Sequence, residues 1–226
     1  HAGRVIAVSN FTRDEIVTHL SVPPSRISVI WSGIQHTPPS PGLTREPIVL
    51  FVGSLFNRRH IPELITAFAR VVMHNPTARL ILVGDNRTHP REDPERLAST
   101  FGIRNRVSIR QYVDENELSA LYAQAMVFVF LSEYEGFGFP PLEAMAAGVP
   151  SIVGDTPVAQ ELYGDAALRV KVTDVDAITS AIIELLDSQK ARQAQLIAAA
   201  ERLPNFTWTR AAGKTLTILK QEGRRR

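Results

Sequence analysis

The chain has 226 residues, 44% hydrophobic and 21% charged, with a formal net charge of +2 and a pI of about 9.2. That composition excludes disordered and fibrous classes and suits one large globular domain with appended pieces. Cysteine is absent, which excludes disulfides and thiolate metal sites and fits a reducing compartment, and no apolar run reaches the ~18–20 residues that span a bilayer.

No secretory signal pattern opens the sequence. His1 stands just ahead of a strand, as at the start of a fragment of a longer protein. Residues 4–8 read as that strand. Ser9 and Thr12 can cap a helix running to Leu20, which Pro23 and Pro24 stop. Residues 27–30 form the next strand. Residues 37–42 are rich in proline and have the composition of a linker. The strand 48–52 ends at Gly53. The helix 62–74 carries Leu64, Ile65, Phe68 and Val71 on one face, with Pro62 suited to its first turn. A strand over 80–83 ends at Gly84. A helix over 94–101, a strand over 107–109 and a helix over 115–125 follow. Residues 127–130 are a wholly apolar strand, 141–147 a short helix stopped by Gly148, and 151–153 a strand. Helices over 174–186, 191–203 and 207–220 complete the chain, with Pro204 and Asn205 between the last two.

Strands apolar on both faces, alternating with helices, predict an α/β protein: a Rossmann-like parallel sheet with helices on both faces. Ligands of such sheets sit beyond the carboxyl ends of the strands, where the strand order switches. The predicted divisions are a first unit over 1–36, a linker over 37–46, the Rossmann-like domain over 47–203 and a closing helix over 204–226.

The segment 132–150 follows an apolar strand and opens a helix. Gly136 and Gly138 let backbone approach a ligand with no Cβ in the way. The unpaired N–H groups of the turn and helix start are a seat for phosphate oxygens. Glu135 and Glu143 bracket that seat, and a carboxylate, which only accepts hydrogen bonds, suits a ligand rich in hydroxyls. Expected within about the first turn of the helix, Glu143 reads equally as a group taking two ribose hydroxyls or as a charge favoured by the helix dipole.

A basic pair, Arg58 and Arg59, follows the strand that ends at Gly53 and Ser54. It reads either as solvated surface charge or as a grip on a diphosphate, for which guanidinium geometry is suited. Gly84 is a ligand approach or a plain turn. Tyr112, followed by Val113 at another strand end, is a candidate for the cleft or for the core. Thr156 and Pro157 are placed to line the cleft. Glu161 is expected to be a surface charge, the alternative being a supporting partner of the site. The histidines show no ligand spacing, and no Asp-x-Asp pair is present to hold a metal over a diphosphate. Arg224, Arg225 and Arg226 form a basic tail, either solvated or in contact with anionic lipid. No aromatic–basic interleaving of the kind that binds single-stranded nucleic acid is found.

Residues 135–150, Glu-Gly-Phe-Gly-x-Pro-x-Leu-Glu-Ala-Met-Ala-x-Gly-x-Pro, resemble the signature of the retaining group 1 glycosyltransferases, two-domain proteins of the GT-B fold. Their two glutamates are separated by seven residues, as Glu135 and Glu143 are. Residues 8–12 and 27–34 are similar to the family's last acceptor-side elements, 51–55 to its first donor-domain strand and phosphate loop, and 206–212 to its closing helix. The resemblance implies that this chain is the donor-binding half of a cytoplasmic enzyme whose acceptor domain lies in an absent N-terminal part. It implies that Glu135 contacts sugar hydroxyls near the reacting carbon and that Glu143 binds the ribose. The backbone of Gly136, Phe137 and Gly138 would touch the sugar and diphosphate, and that of Tyr112 and Val113 the base.

Glu135, Arg58 and Arg59 are then the catalytic candidates. No cofactor or metal is implied, the substrate being a UDP- or GDP-sugar and the acceptor a glycan or a lipid-linked sugar, with peripheral contact to the inner face of the plasma membrane. The pattern departs at Ser54, where many members have arginine, and at Arg59, where most have lysine. Arg58-Arg59-His60 resembles a variant of an Arg-Lys-Asn run, which leans toward GDP-linked sugars such as mannose. A non-catalytic nucleotide-sugar-binding module is the competing reading. Retention of both glutamates and the basic pair argues against it.

Overall fold

A computed structural model of the chain describes residues 3–35 and 44–223. The chain begins with a small unit: strand β1 (Val5–Ala7), helix α1 (Asn10–Leu20) and strand β2 (Ile27–Val29), with β1 and β2 paired in parallel. Ser9 caps α1, its hydroxyl accepting from the Thr12 N–H at 3.0 Å, as its extended backbone and oxygen-bearing side chain dictate. No residue within α1 is buried.

Strand β3 (Glu46–Val52) opens the main sheet. Ile48, Val49, Leu50 and Phe51 are all fully buried. Successive strand residues face opposite sides, so burial of all four requires cover on both faces. That cover is the set of helices connecting six parallel strands: α2 (Ile61–His74), β4 (Arg79–Val83), α3 (Pro94–Thr100), β5 (Val107–Arg110), α4 (Glu115–Gln124), β6 (Ala125–Phe130), α5 (Phe139–Ala146), β7 (Ser151–Gly154), α6 (Pro157–Leu162), β8 (Ala167–Val170), α7 (Val175–Asp187) and α8 (Gln189–Arg202). The sheet order is β5-β4-β3-β6-β7-β8. The order reverses between β3 and β6, so their carboxyl ends flank the crevice where such sheets bind ligands. The expected fold class is the one observed.

Several boundaries shift. Glu46 belongs to β3 and not to a linker. Arg45 is pinned as well, donating to the carbonyls of Tyr122, Ala125 and Ala147 at 3.0, 2.6 and 2.8 Å. Burial lowers its pKa. The rest of the predicted linker lies mostly outside the described residues, as do Arg224, Arg225 and Arg226. Helix α5 begins at Phe139, two residues before its predicted start. Pro140 and Pro141 fall within its first turn, where a missing N–H costs no helical bond. Elements α6 and β8 were not expected; they fill the stretch between β7 and α7.

The last helix, α9 (Trp208–Gly223), follows a short turn at Leu203–Asn205 and meets the first unit. Phe206 stacks on Trp31 with centroids 5.2 Å apart, and its carbonyl accepts from the Ile34 N–H at 3.1 Å. A Cβ at Gly33 would lie 2.2 Å from the Trp208 nitrogen, so only glycine allows this approach. Among the described residues no helix is long and apolar enough to cross a membrane.

Candidate active site

The crevice is built first from two glycines. Gly53 ends β3 at φ +138° and Gly84 ends β4 at φ +144°, backbone that L side chains rarely adopt. A Cβ on Gly84 would fall 2.1 Å from the Gly53 carbonyl oxygen. A Cβ on Gly53 would fall 2.4 Å from Nη1 of Arg59. Gly84 therefore lets two strand ends close together, and Gly53 leaves room for a guanidinium to fold over the end of β3. Gly84, open from sequence to ligand approach or to a plain turn, is required here by its packing on Gly53.

Arg58 and Arg59 lie in a short helical turn at Asn57–Arg59. It is held on one side by Asn57, whose amide donates to Glu92 Oε1 at 2.7 Å and to the Pro90 carbonyl at 3.1 Å. On the other side His60 adopts φ +51° and its Nε2 meets Glu133 Oε2 at 3.0 Å. Asn and His tolerate this left-handed backbone better than most residues. That accounts for a histidine at the position where the resembling run carries asparagine.

Arg59 reaches from the end of β3 to the end of β6. Its Nε and Nη2 donate to Glu135 Oε1 at 3.2 and 2.9 Å, and its Nη1 donates to the Ser54 carbonyl at 2.8 Å. The rings of Phe130 and Phe56 lie 4.8 and 5.5 Å from its guanidinium carbon. The side chain is only 11% exposed. Burial lowers its pKa, opposed by the adjacent Glu135. Arg58 is less enclosed: it lies 4.5 Å over the Phe56 ring, donates from Nε to the Tyr134 carbonyl at 3.1 Å and stands 3.7 Å from Glu135.

Ser132 Oγ gives Glu135 Oε1 a further hydrogen bond at 3.0 Å. Every recorded donor to Glu135 thus meets one carboxylate oxygen, and Oε2 has no partner among the described residues. The arginine pair, Ser54 and the first glutamate are brought together at the switch point. The enclosed space between Glu135, Ser132 and β7 is only about 10 Å³, too small for a sugar ring, which leaves the shelf of strand ends outside it for a ligand.

The turn after Glu135 also carries packing contacts. Gly138, at φ +96°, is the residue before α5, and a Cβ there would fall 2.1 Å from the Tyr163 hydroxyl. That hydroxyl is buried, its pKa raised by burial, and donates to the Gly138 carbonyl at 2.9 Å. The Gly136 carbonyl accepts from Ser9 Oγ at 2.6 Å and Thr12 Oγ1 at 3.0 Å. Packing within the chain thus requires glycine at 138, whereas a Cβ at Gly136 would meet only Thr12 Oγ1 at 3.4 Å. Phe137 is buried between Phe139 and Phe206, so only its backbone is available to the shelf.

Glu143 is the fifth residue of α5, and the first turn of that helix holds no acid. The dipole explanation for it falls away. Its Oε2 meets the Tyr122 hydroxyl at 3.4 Å, and burial raises its pKa. Tyr112 is 85% exposed and has no core role. Together with the partly buried Val113 it follows β5, the edge strand, two strands from the switch point. Glu161 is not a free surface charge. Its carboxylate accepts from the Asn10 N–H and side chain at 2.8 Å each, the Phe11 N–H at 3.2 Å and the Trp31 indole at 2.9 Å. No cluster of three or more potential metal ligands occurs among the described residues.

The profile of the family described as "Glycosyl transferases group 1" matches residues 35–202. The chain belongs to that family. O-antigen chain mannosyltransferase B of Escherichia coli is 27% identical over 228 residues, covering 96% of this chain and 60% of that protein. The GDP-mannose-dependent alpha-(1-6)-phosphatidylinositol monomannoside mannosyltransferase of Mycolicibacterium smegmatis is 31% identical over 194 residues, 81% of this chain and 50% of that one. Among solved structures, sucrose-phosphate synthase from Thermosynechococcus elongatus superimposes with a TM-score of 0.83 at 26% identity, over all of this chain and 60% of that one. Anabaena HepE in complex with UDP-glucose has a TM-score of 0.85 at 20% identity, over 97% and 64%, which shows the fold. This group 1 glycosyl transferase chain thus spans 60% or less of the length of the two mannosyltransferases.

Five contributors are missing from the sequence expectations: Ser132, Tyr163, Tyr122 and the rings of Phe56 and Phe130 beneath the arginines. Ser132 was within reach, three residues before Glu135. The tyrosines and Phe56 carry no spacing signal, since they arrive from other elements.

Proposed function

We propose that the intact protein transfers a glycosyl group from a nucleotide-diphosphate sugar to a saccharide or lipid-linked acceptor with retention of configuration, and that this chain is the donor-binding part. The observation that carries this reading is the convergence of Arg58, Arg59 and Glu135 at the carboxyl ends of β3 and β6. As the bond from the anomeric carbon to the diphosphate breaks, negative charge grows on the departing phosphate. Arg59 is poorly hydrated and pre-positioned, and cations so held favour the transition state over the ground state. Arg58 adds a more exposed charge. Glu135 Oε2 accepts from sugar hydroxyls beside the oxocarbenium-like centre, and Glu143 takes the ribose hydroxyls.

Attack is from the same face as departure, which retains the configuration. Residues 1–36 and 204–226 are the parts of the chain that join the acceptor side. The GDP-mannose dependence in the name of the Mycolicibacterium smegmatis relative supports a GDP-mannose donor, with a UDP-sugar as the alternative.

Calorimetric titration of UDP, GDP and their sugars into the wild type, Glu143→Ala and Arg59→Ala tests the assignment. Loss of a hydrogen bond to a charged group costs ~1.5–3 kcal/mol, so each variant should bind the preferred donor at least about tenfold more weakly. Equal affinity in all three proteins would refute these roles. The chain alone should bind donor without transferring sugar, and measurable transfer by it would remove the need for a separate acceptor half.

A further inference from the structure

A cavity of about 400 Å³ lies away from the shelf, at the seam between the β1–α1–β2 unit and the α8–α9 segment. It shares no lining residue with the switch-point site. Three cations line it: Arg202, Arg210 and Lys214. Arg210 and Lys214 are four residues apart on α9, so they share a helix face, where like charges repel. Neither has an ion pair or a side-chain hydrogen bond among the described residues.

Arg202 is fixed, donating to the Leu162 carbonyl at 2.9 Å and to the Glu161 carbonyl. No carboxylate is among the described lining residues, and that of Glu161, bound to the lining residues Asn10 and Trp31, is already filled by Asn10, Phe11 and the Trp31 indole. The other wall is the stacked pair Trp31 and Phe206, with Asn205 beside it. Unpaired cations facing an aromatic wall and an amide suit an anion attached to a hydroxyl-bearing ring.

We infer that this seam cavity, lined by Arg210, Lys214, Arg202, Trp31 and Asn205, is a second binding site, for a phosphorylated monosaccharide. The cations take the phosphate and the aromatic wall takes the sugar ring. Because the cavity draws residues from both the first unit and the α8–α9 segment, an occupant fastens one to the other.

The test is titration of the chain with glucose 6-phosphate, inorganic phosphate and glucose, together with cosedimentation on phosphatidylcholine vesicles with and without phosphatidic acid. Glucose 6-phosphate should bind more tightly than phosphate, and glucose should not bind. The double variant Arg210→Glu/Lys214→Glu changes exposed positions only. It should weaken glucose 6-phosphate by about tenfold or more, the loss expected for charge-assisted contacts, while nucleotide affinity stays unchanged. Arg210→Gln/Lys214→Gln should show the same direction if the charge reversal disturbs folding. Unchanged glucose 6-phosphate affinity in these variants overturns the inference. So does binding to phosphatidic acid vesicles alone, which would assign the cations to a lipid headgroup. Unchanged nucleotide affinity in the variants keeps this outcome separate from failure of the switch-point site.

Discussion

At Arg59 a guanidinium is held ready by three acceptor contacts and two aromatic rings, yet its charge is already offset by Glu135. A bare pyrophosphate must compete with that carboxylate. A sugar diphosphate brings hydroxyls for Glu135 as well as an anion for Arg59, so the pair discriminates in its favour. Glu143 poses the opposite problem, a carboxylate whose burial raises its pKa with one long hydrogen bond from Tyr122. A carboxyl group whose folded pKa exceeds its unfolded value binds more protons when folded. Stability then falls as pH rises from the usual glutamate range through the raised value. Glu143→Gln should therefore raise Tm at pH 7 by about 1–3 °C, with the gain vanishing below about pH 4. A Tm difference independent of pH, read by calorimetric scans from pH 4 to 8, would remove burial of the charge as its cause. Of the candidate residues, those set by chain neighbours were legible: the arginines after a strand, the glutamate before a helix. Tyr112 and Glu161 were not, because whether a side chain lies under another element depends on contacts that no local pattern encodes.

Helix α6 contributes a single glutamate that satisfies four donors from the first unit, three of them at the start of α1, two being backbone N–H groups. Glu161→Ala leaves those N–H groups with no replacement on the protein. The change should destabilise by ~2–3 kcal/mol, seen as a lower midpoint in urea. It should also speed amide exchange at Asn10 and Phe11 more than in β3 or β6. Equal acceleration everywhere would mean that Glu161 supports the whole fold and not the attachment of α1. Helices with a broad apolar face, such as α2 and α7, are plain in the sequence. Strand β8 is not: it is four residues long, with Arg169 exposed, at the sheet's edge. The start of α5 was misplaced because two successive prolines look like a boundary, although a helix accepts both within its first turn.

Across the molecule burial is uneven. The hydrophobic core runs from Ile48 to Phe206, and among the described residues of the first unit only Phe11, Trp31 and Ile34 pack against it. Segments with few buried apolar contacts open at lower free energy than the core. Native-state hydrogen exchange should find amides of β1, β2 and α1 opening at least about tenfold more readily than those of β3 and β6. Matching protection in both would show one cooperative unit. The sheet was readable because strands buried on both faces are continuous apolar runs. The way the first unit and α9 lean on it was not, since that attachment rests on a few polar contacts and one aromatic stack.

One of those contacts is the Gly136 carbonyl, held by Ser9 and Thr12. The residue that carries it follows Glu135 directly in the chain, so a pull from the small unit acts one residue away from the crevice. The posture of residues 3–35 is therefore coupled to the crevice through one peptide, and a crosslink that locks residue 9 or 12 in place should steady the crevice without touching any group inside it.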